Sequence, residues 1–455
     1  MKSLPISLMT KLYPYQQDAV DKLLPLRVGA LYMEMGTGKT RTALEIICKR
    51  LERKKISSVL WLCPCSVKKN LADDLDKHCT GWKEVITICG IESISQSDRT
   101  MLAMMKKVGP EVMCIVDESN LVKNWFALRT KRITELGKVC RYRLILNGTP
   151  VSRNEADLYS QWYFLDSRIF GYRTFWSFAR NHLEYDDHHK VQRVLDVDYL
   201  TEKIAPYSYV IRKDDVLTEL PSKYNDISYF DLTAAQGRMY REVMDELLCQ
   251  VDEFDSTTIY RLFAGLQLVT SGRWVDAGKP MKHREFFTDP KDNPRIQKLL
   301  SILETEDYPK TIIWVKYRHE ADEISSVLPF GSYAIATGAY SVAKRNEHID
   351  RFRSDPECKY LIANKVCGGY GLNLQFCHRA IYYNNDFNYA TRAQSEDRLH
   401  RIGQTEEVYI TDLAANSKID ERIISCLERK GNLCDDIKEQ IKKKKDLRRW
   451  LNGQN

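Results

Sequence analysis

The chain has 455 residues, enough for two or three domains with separate cores, and its 43% hydrophobic and 29% charged residues are those of an ordinary globular protein. No apolar run approaches the roughly 20 residues of a membrane-spanning helix, which excludes an integral membrane role. A net charge of +7 is too mild to establish nucleic-acid binding, and 13 scattered cysteines support neither a disulfide framework nor a structural zinc site, since Cys63 and Cys65 are too close for a Cys-x-x-Cys clip. The cysteines fit a reducing interior, and the apolar stretch in residues 1–10 is too short for a signal peptide. The expected location is cytoplasmic.

Taken in order, the chain first shows an apolar run, Val28–Met33, that predicts a buried strand. It leads into Glu34-Met35-Gly36-Thr37-Gly38-Lys39-Thr40. Ala43, Leu44, Ile46, Ile47 and Leu51 then recur at helical spacing. Short apolar runs at 59–63, 85–89, 112–116 and 144–146 alternate with amphipathic stretches, which predicts a parallel sheet with helices on both faces. A second series of runs follows at 311–315, 333–337, 360–363, 380–383 and 408–411. The fold class is therefore α/β, with two doubly wound lobes in tandem at 1–221 and 222–455. Two stretches interrupt the alternation. Residues 166–220 interleave aromatic and basic side chains and predict a helical protrusion; residues 237–290 predict a helical insertion followed by a loop. The basic tail 438–455 reads equally as a solvated helix end or as a phosphate contact.

Strand, Gly-x-Gly-Lys-Thr and helix together make a phosphate-binding loop. Met35, Gly36, Thr37 and Gly38 supply backbone N–H groups, Lys39 reaches the β/γ-phosphates and Thr40 holds Mg²⁺. The full pattern wants glycine where Met33 stands. A second element is the strand 112–116 running into Asp117-Glu118. By itself such a pair is a common solvated strand end. At the carboxyl edge of a sheet that carries a phosphate loop, Asp117 can hold Mg²⁺ and Glu118 can orient and deprotonate water.

With these motifs on the page, the chain resembles the superfamily-two helicases, specifically their SWI/SNF-like branch of double-stranded DNA translocases, over nearly its whole length. Leu12-Tyr13-Pro14-Tyr15-Gln16 resembles the adenine-sensing element, with Gln16 as reader, and Met33 to Thr40 is similar to the branch's own phosphate loop, which also lacks the first glycine. Cys63-Pro64-Cys65-Ser66 resembles the first DNA-backbone motif. Asp117-Glu118-Ser119-Asn120-Leu121-Val122-Lys123-Asn124 matches Asp-Glu-x-His-x-x-Lys-Asn with Asn120 in place of His. Asn147-Gly148-Thr149-Pro150 resembles the coupling motif, and Ile211-Arg212-Lys213 through Leu220-Pro221 the segment closing the first lobe. Leu232-Thr233, Gln236 and Tyr240 resemble the entry to the second lobe. Gly368 to Leu374 is similar to the Gly-rich fifth motif, and Gln394, Arg398, Arg401, Ile402, Gly403 and Gln404 to the sixth. Ile419-Asp420-Glu421-Arg422-Ile423 resembles the segment after it.

The resemblance implies two RecA-like lobes and an ATP-driven motor on duplex or branched DNA. Lys39, Asp117, Glu118, Gln394, Arg398 and Arg401 would be catalytic, the last two as arginine fingers. Gln16, Met35, Gly36, Thr37, Gly38, Lys39, Thr40, Gly371 and Asn373 would bind ATP, with Mg²⁺ on Thr40 and Asp117. DNA would be held without sequence preference by Pro64, Ser66, Lys68, Lys69, Asn364, Lys365, Gly368 and Phe387, the last standing where the branch has Trp. Asn120 can hydrogen-bond but cannot relay a proton. The alternatives are a strand-separating helicase and an ATP-dependent clamp. Little sequence falls outside the motor, which suggests a bacterial, viral or mobile-element protein acting as a monomer in a bacterial or infected-host cytoplasm.

Overall fold

Val28–Met33 (β1), Ser58–Cys63 (β2), Ile86–Gly90 (β3), Val112–Asp117 (β4), Tyr142–Asn147 (β5) and Ser208–Ile211 (β6) form one six-stranded sheet in the order β6-β1-β5-β4-β2-β3. Every pairing is parallel. Because side chains alternate along a strand, a sheet buried on both faces needs continuous apolar runs. In β1, Ala30 and Tyr32 enter one core and Leu31 and Met33 the other. The helices Pro14–Leu23 (α1), Lys39–Glu52 (α2) and Lys68–His78 (α3) cover the second face, while Leu128–Val139 (α4), Leu158–Asp166 (α5) and Phe175–His182 (α6) cover the first. The computed structural model describes residues 6–148, 155–185, 191–216, 220–249, 256–278, 280–306, 308–364, 374–401 and 403–429.

A second all-parallel sheet of six strands is built from Lys223–Phe230 (β7), Thr311–Val315 (β8), Tyr333–Ala336 (β9), Tyr360–Asn364 (β10), Arg379–Tyr382 (β11) and Val408–Ala415 (β12). Their order is β7-β12-β11-β8-β10-β9. The chain thus consists of two RecA-like lobes, in compact units Met1–Glu219 and Leu220–Asn455. In the second unit, Ala234–Cys249 (α7), Ser256–Thr270 (α8) and Lys418–Glu428 (α11) share a core of their own, while Pro294–Thr305 (α9) packs on the sheet. No helix among the described residues is long and apolar enough to cross a membrane.

Two expectations are corrected. Residues 166–220 are not simply a helical protrusion: they hold an antiparallel hairpin, Leu183–Tyr185 with Val191–Val194, and the strand β6, which closes one edge of the first sheet. The loop expected at the end of 237–290 is a second hairpin, Arg273–Asp276 with Lys282–Glu285. β6 is short and mixed in character, and the partner of each hairpin strand supplies the order that its residues do not announce.

The second unit is knotted together by a charge. Arg295 at the start of α9 is fully buried; its guanidinium donates to the carbonyls of Thr270 (3.1 Å) and Tyr383 (2.5 Å) and pairs with Asp420 (2.5 Å). Asp420 also accepts from the Ala415 amide (2.8 Å). One pair therefore ties α8, α9, α11 and the ends of two strands. Removing a single partner leaves the other buried and uncompensated. Asp420→Ala is expected to destabilise the protein by about 3–5 kcal/mol, and Arg295→Met with Asp420→Leu to restore most of that loss, read by urea unfolding.

Candidate active site

In a parallel sheet the loops after adjacent strands open on the same edge. β1, β5 and β4 are neighbours, so the phosphate loop, Asn147-Gly148 and Asp117-Glu118 all emerge at one carboxyl edge of the first unit. Gly36 (φ +84°) and Gly38 (φ +87°) take the left-handed turn that delivers the chain into α2 at Lys39. Lys39 Nζ donates to the Met33 carbonyl (2.7 Å), and Thr37 Oγ1 to that of Glu34 (2.7 Å). Thr40 sits in the first turn of α2.

The loop is held from two remote segments. Gln16 Nε2 (3.0 Å) and Tyr15 Oη (3.1 Å) both donate to the Thr37 carbonyl. Gln16 Oε1 accepts from the Tyr13 amide (3.0 Å), and the side chain is 2% exposed. The residue expected to read adenine thus also braces the loop, with one hydrogen bond at each end of its side-chain amide. On the other side, the Glu34 carboxylate accepts from the Lys213 amide (2.7 Å), and the Glu34 amide donates to the Ile211 carbonyl (3.2 Å). Sequence reasoning placed Tyr15 and Glu34 within motifs but gave neither a role, because bracing a loop leaves no signature of its own.

Asp117 ends β4, buried, and its Oδ1 accepts from the Glu118 amide (2.9 Å). Burial, reinforced by the neighbouring Glu118 carboxylate, pushes the Asp117 carboxyl up to about 7 against the pull of Lys39. A buried carboxylate that resists ionisation, at the same sheet edge as a threonine in the first turn of α2, fits a hard cation with oxygen ligands, so Asp117 and Thr40 suit Mg²⁺. Glu118 itself adopts φ +50°, a left-handed conformation that a side chain tolerates only when its surroundings impose it. They do: Ser119 Oγ is buried and donates to Gln161 Oε1 (2.5 Å) on α5, and Gln161 Nε2 donates to the Asp157 carbonyl (3.0 Å). Asn120, where histidine was expected, buries its Oδ1 without a hydrogen bond.

Other predicted residues fall as follows. Pro64 is buried, Ser66 is half-buried, and Lys68 and Lys69 are exposed at the start of α3. Their turn is fixed by the Cys65 amide donating to Glu92 (2.8 Å). Asn364 ends β10 with its amide on the Lys316 carbonyl (2.8 Å). Lys365, Gly368, Gly371 and Asn373, with Thr149, Pro150 and the tail 438–455, lie outside the described residues. Phe387 is a further correction: expected to press on DNA, it is 3% exposed, packed edge-on to Phe263, with the Lys316 ammonium 3.3 Å from its ring centroid. Its ring is core because α8 covers it.

The sixth-motif residues lie on and after Tyr389–Glu396 (α10). Gln394 is half-buried on the helix, Arg398 is buried, and Arg401 is half-buried with a buried Nε that makes no hydrogen bond. The helix is fixed by a residue the sequence did not single out. Arg392 meets Asp412 (2.5 and 3.0 Å) and Glu396 (2.5 Å), lies 3.6 Å from the Tyr382 ring centroid, and shares Glu396 with Lys223 (2.6 Å). Gly403, at φ +95°, and Gln404, whose Oε1 accepts from the Thr405 and Glu406 amides (both 3.0 Å), shape the exit turn.

Comparison with known proteins adds the family. An SNF2-related domain model matches residues 80–273, a helicase conserved C-terminal domain model matches 294–403, and a type III restriction enzyme res-subunit model matches 9–100. Over these residues the chain is similar to SNF2-related and helicase C-terminal domains, in keeping with the SWI/SNF-like branch of superfamily two. It is 24% identical to human TATA-binding protein-associated factor 172 over 96% of this chain and 28% of that protein. It is also 24% identical to the Danio rerio chromodomain-helicase-DNA-binding protein 1-like (94% of this chain, 44% of that protein) and to an uncharacterized ATP-dependent helicase of Mycoplasma genitalium (95% and 42%). This SWI/SNF-like chain thus spans less than half the length of these curated relatives. Among solved structures, the Sulfolobus solfataricus SWI2/SNF2 ATPase core in complex with dsDNA is 21% identical at a TM-score of 0.43, covering 95% of this chain and 94% of that one.

Two outcomes test the assignment of groups. Lys39→Ala is expected to lose both ATP binding and turnover. Glu118→Gln is expected to keep ATP binding while turnover falls about 10²–10⁴-fold, as read by steady-state hydrolysis beside fluorescent-nucleotide binding. For Asp117 the sign follows from a folded pKa raised above its unfolded value: the apo protein loses stability as pH rises towards about 7. The ligating form is the deprotonated one, so Mg²⁺·ADP affinity should fall by about tenfold per pH unit below 7. Isothermal titration between pH 6 and 8 measures it, and Asp117→Asn should flatten the slope.

Proposed function

We propose that the chain is an ATP-driven DNA translocase whose task is to move forks or four-way junctions by branch migration. The observation that carries this reading is the gathering of Lys39, Thr40, Asp117 and Glu118 at one edge of the first sheet, in a chain whose second lobe has the sixth-motif arginines on a rigidly held segment. Lys39 and the loop amides from Met35 to Gly38 would hold the phosphates. Thr40 and Asp117 would hold Mg²⁺, which supplies charge neutralisation. Glu118 would take the proton of the attacking water, and Arg398 and Arg401 would stabilise charge on the transferring group, with Gln394 positioning them. On this reading, turnover that needs groups from both lobes would depend on lobe closure, which would be the source of movement. Ser66, Lys68, Lys69 and Asn364 would contact DNA phosphates, which gives grip without base preference.

Energetics favour branched DNA. Separating strands costs stacking of about 1.4 kcal/mol per base-pair step, whereas junction migration re-forms a pair for each one broken. The second needs no wedge to hold strands apart. The burial of Phe387 removes one wedge candidate. The test compares a four-way junction with homologous arms against a tailed duplex of equal length. The junction is expected to be resolved faster per ATP. Equal or better unwinding of the tailed duplex would replace this reading with a strand-separating helicase.

A further inference from the structure

Most aromatic residues between 159 and 182 are buried in the core of the first unit, but one group is not. Trp176 is 65% exposed, Phe126 52% and Leu128 50%. Phe126 and Trp176 touch, with ring centroids 5.7 Å apart, and both rest on Phe175, at 5.3 and 5.7 Å. Phe175 in turn stands edge-on to the buried Tyr159 at 5.5 Å. The two outer rings are thus supported from below by core side chains. Their backbones are fixed as well. The Phe126 amide donates to Asn124 Oδ1 (2.9 Å), and α6 starts on the Thr174 cap, whose Oγ1 accepts from the Ser177 amide (3.2 Å). A rigid, solvent-facing aromatic pair of this kind loses little entropy when it binds.

The charge around the pair selects the occupant. No acidic residue occurs from 167 to 183 or from 119 to 134, while Arg173 and Arg180 flank Trp176, and Arg129 and Lys131 follow Phe126. Arg180 lies four residues beyond Trp176 on α6, hence on the same helix face. These four cations make no ion pair among the described residues. The turn 124–127 opens from β4, next to the strand that leads into Ser66, Lys68 and Lys69. Exposed rings on two segments whose own charges are all basic match a nucleic-acid strand, in which phosphates meet guanidinium groups while a base lies flat on an aromatic face. A paired base has both faces covered by its neighbours. A ring can therefore stack only on a base that is unpaired or at a broken end.

We propose that Trp176, backed by Phe126, is a stacking platform for the first unpaired base at a DNA branch point, with Arg173 and Arg180 on the adjoining phosphates. This rests on the DNA-motor reading and adds to it a preference for branch points. The test places 2-aminopurine at the first unpaired position of a fork and follows quenching and affinity without nucleotide, with ATP turnover measured separately on fork and blunt duplex. Trp176→Ala is expected to abolish the quenching and weaken fork binding about tenfold, leaving duplex-stimulated turnover unchanged; Phe126→Ala should do the same in part, and Trp176→Phe should retain most of the effect. Wild-type fork affinity and quenching in a folded Trp176→Ala protein would overturn the proposal and leave the patch to a protein partner. Equal losses on fork and duplex would overturn it too, as a general contact. A wild-type protein that quenches the probe yet shows no DNA-stimulated hydrolysis would sink the motor reading while leaving the platform standing.

Discussion

The carbonyl of Thr37 receives two donors, and much else in the first lobe depends on it. A phosphate loop must aim its N–H groups inward, and a glycine-rich backbone does not hold such a shape unaided. Here Tyr15 and Gln16 grip it from the amino-terminal helix, and Glu34 anchors its near end to the segment that leaves β6. The loop is thereby continuous, in hydrogen bonds, with Lys213, six residues before the boundary of the first unit at Glu219.

The acidic side of the site depends on a different constraint. Asp117 is kept in a place where it ionises reluctantly, and Glu118 in a backbone conformation that costs free energy. The next residue, Ser119, is held by its buried contact with Gln161, which ties α5 to this corner of the candidate site. Asn120 alters this arrangement. Its oxygen is buried without a donor, a cost of about 1–3 kcal/mol.

The core strands were legible because burial on both faces demands continuous apolar runs, and the turn into α2 at Gly36–Lys39 because such a loop demands particular residue types at fixed spacing. What escaped was everything whose reason lies in a remote partner. Ser208–Ile211 and Lys223–Phe230 are edge strands, and the second has mostly exposed side chains, so neither run announces a strand until its neighbour is known. Gln16 and Phe387 were placed by resemblance, and each is turned inward by local packing: Gln16 by the loop it braces, Phe387 by α8. Arg295, Arg392 and Gln161 carry no sequence signal of their burial, because burial of a polar group is decided by partners far away in sequence.

The network around Arg392 bears on how such a chain can vary. Arg392 is shared between Asp412 and Glu396, and Glu396 between Arg392 and Lys223, so four positions on three separate elements hold one charge-balanced group. Replacing any single member passes through an ancestor that buries an uncompensated charge, a step selection seldom tolerates. Substitutions at these four sites should therefore have travelled together through the lineage. The edge strand β7, far in sequence from the arginine motif and with no chemistry of its own, would carry that motif's evolutionary history.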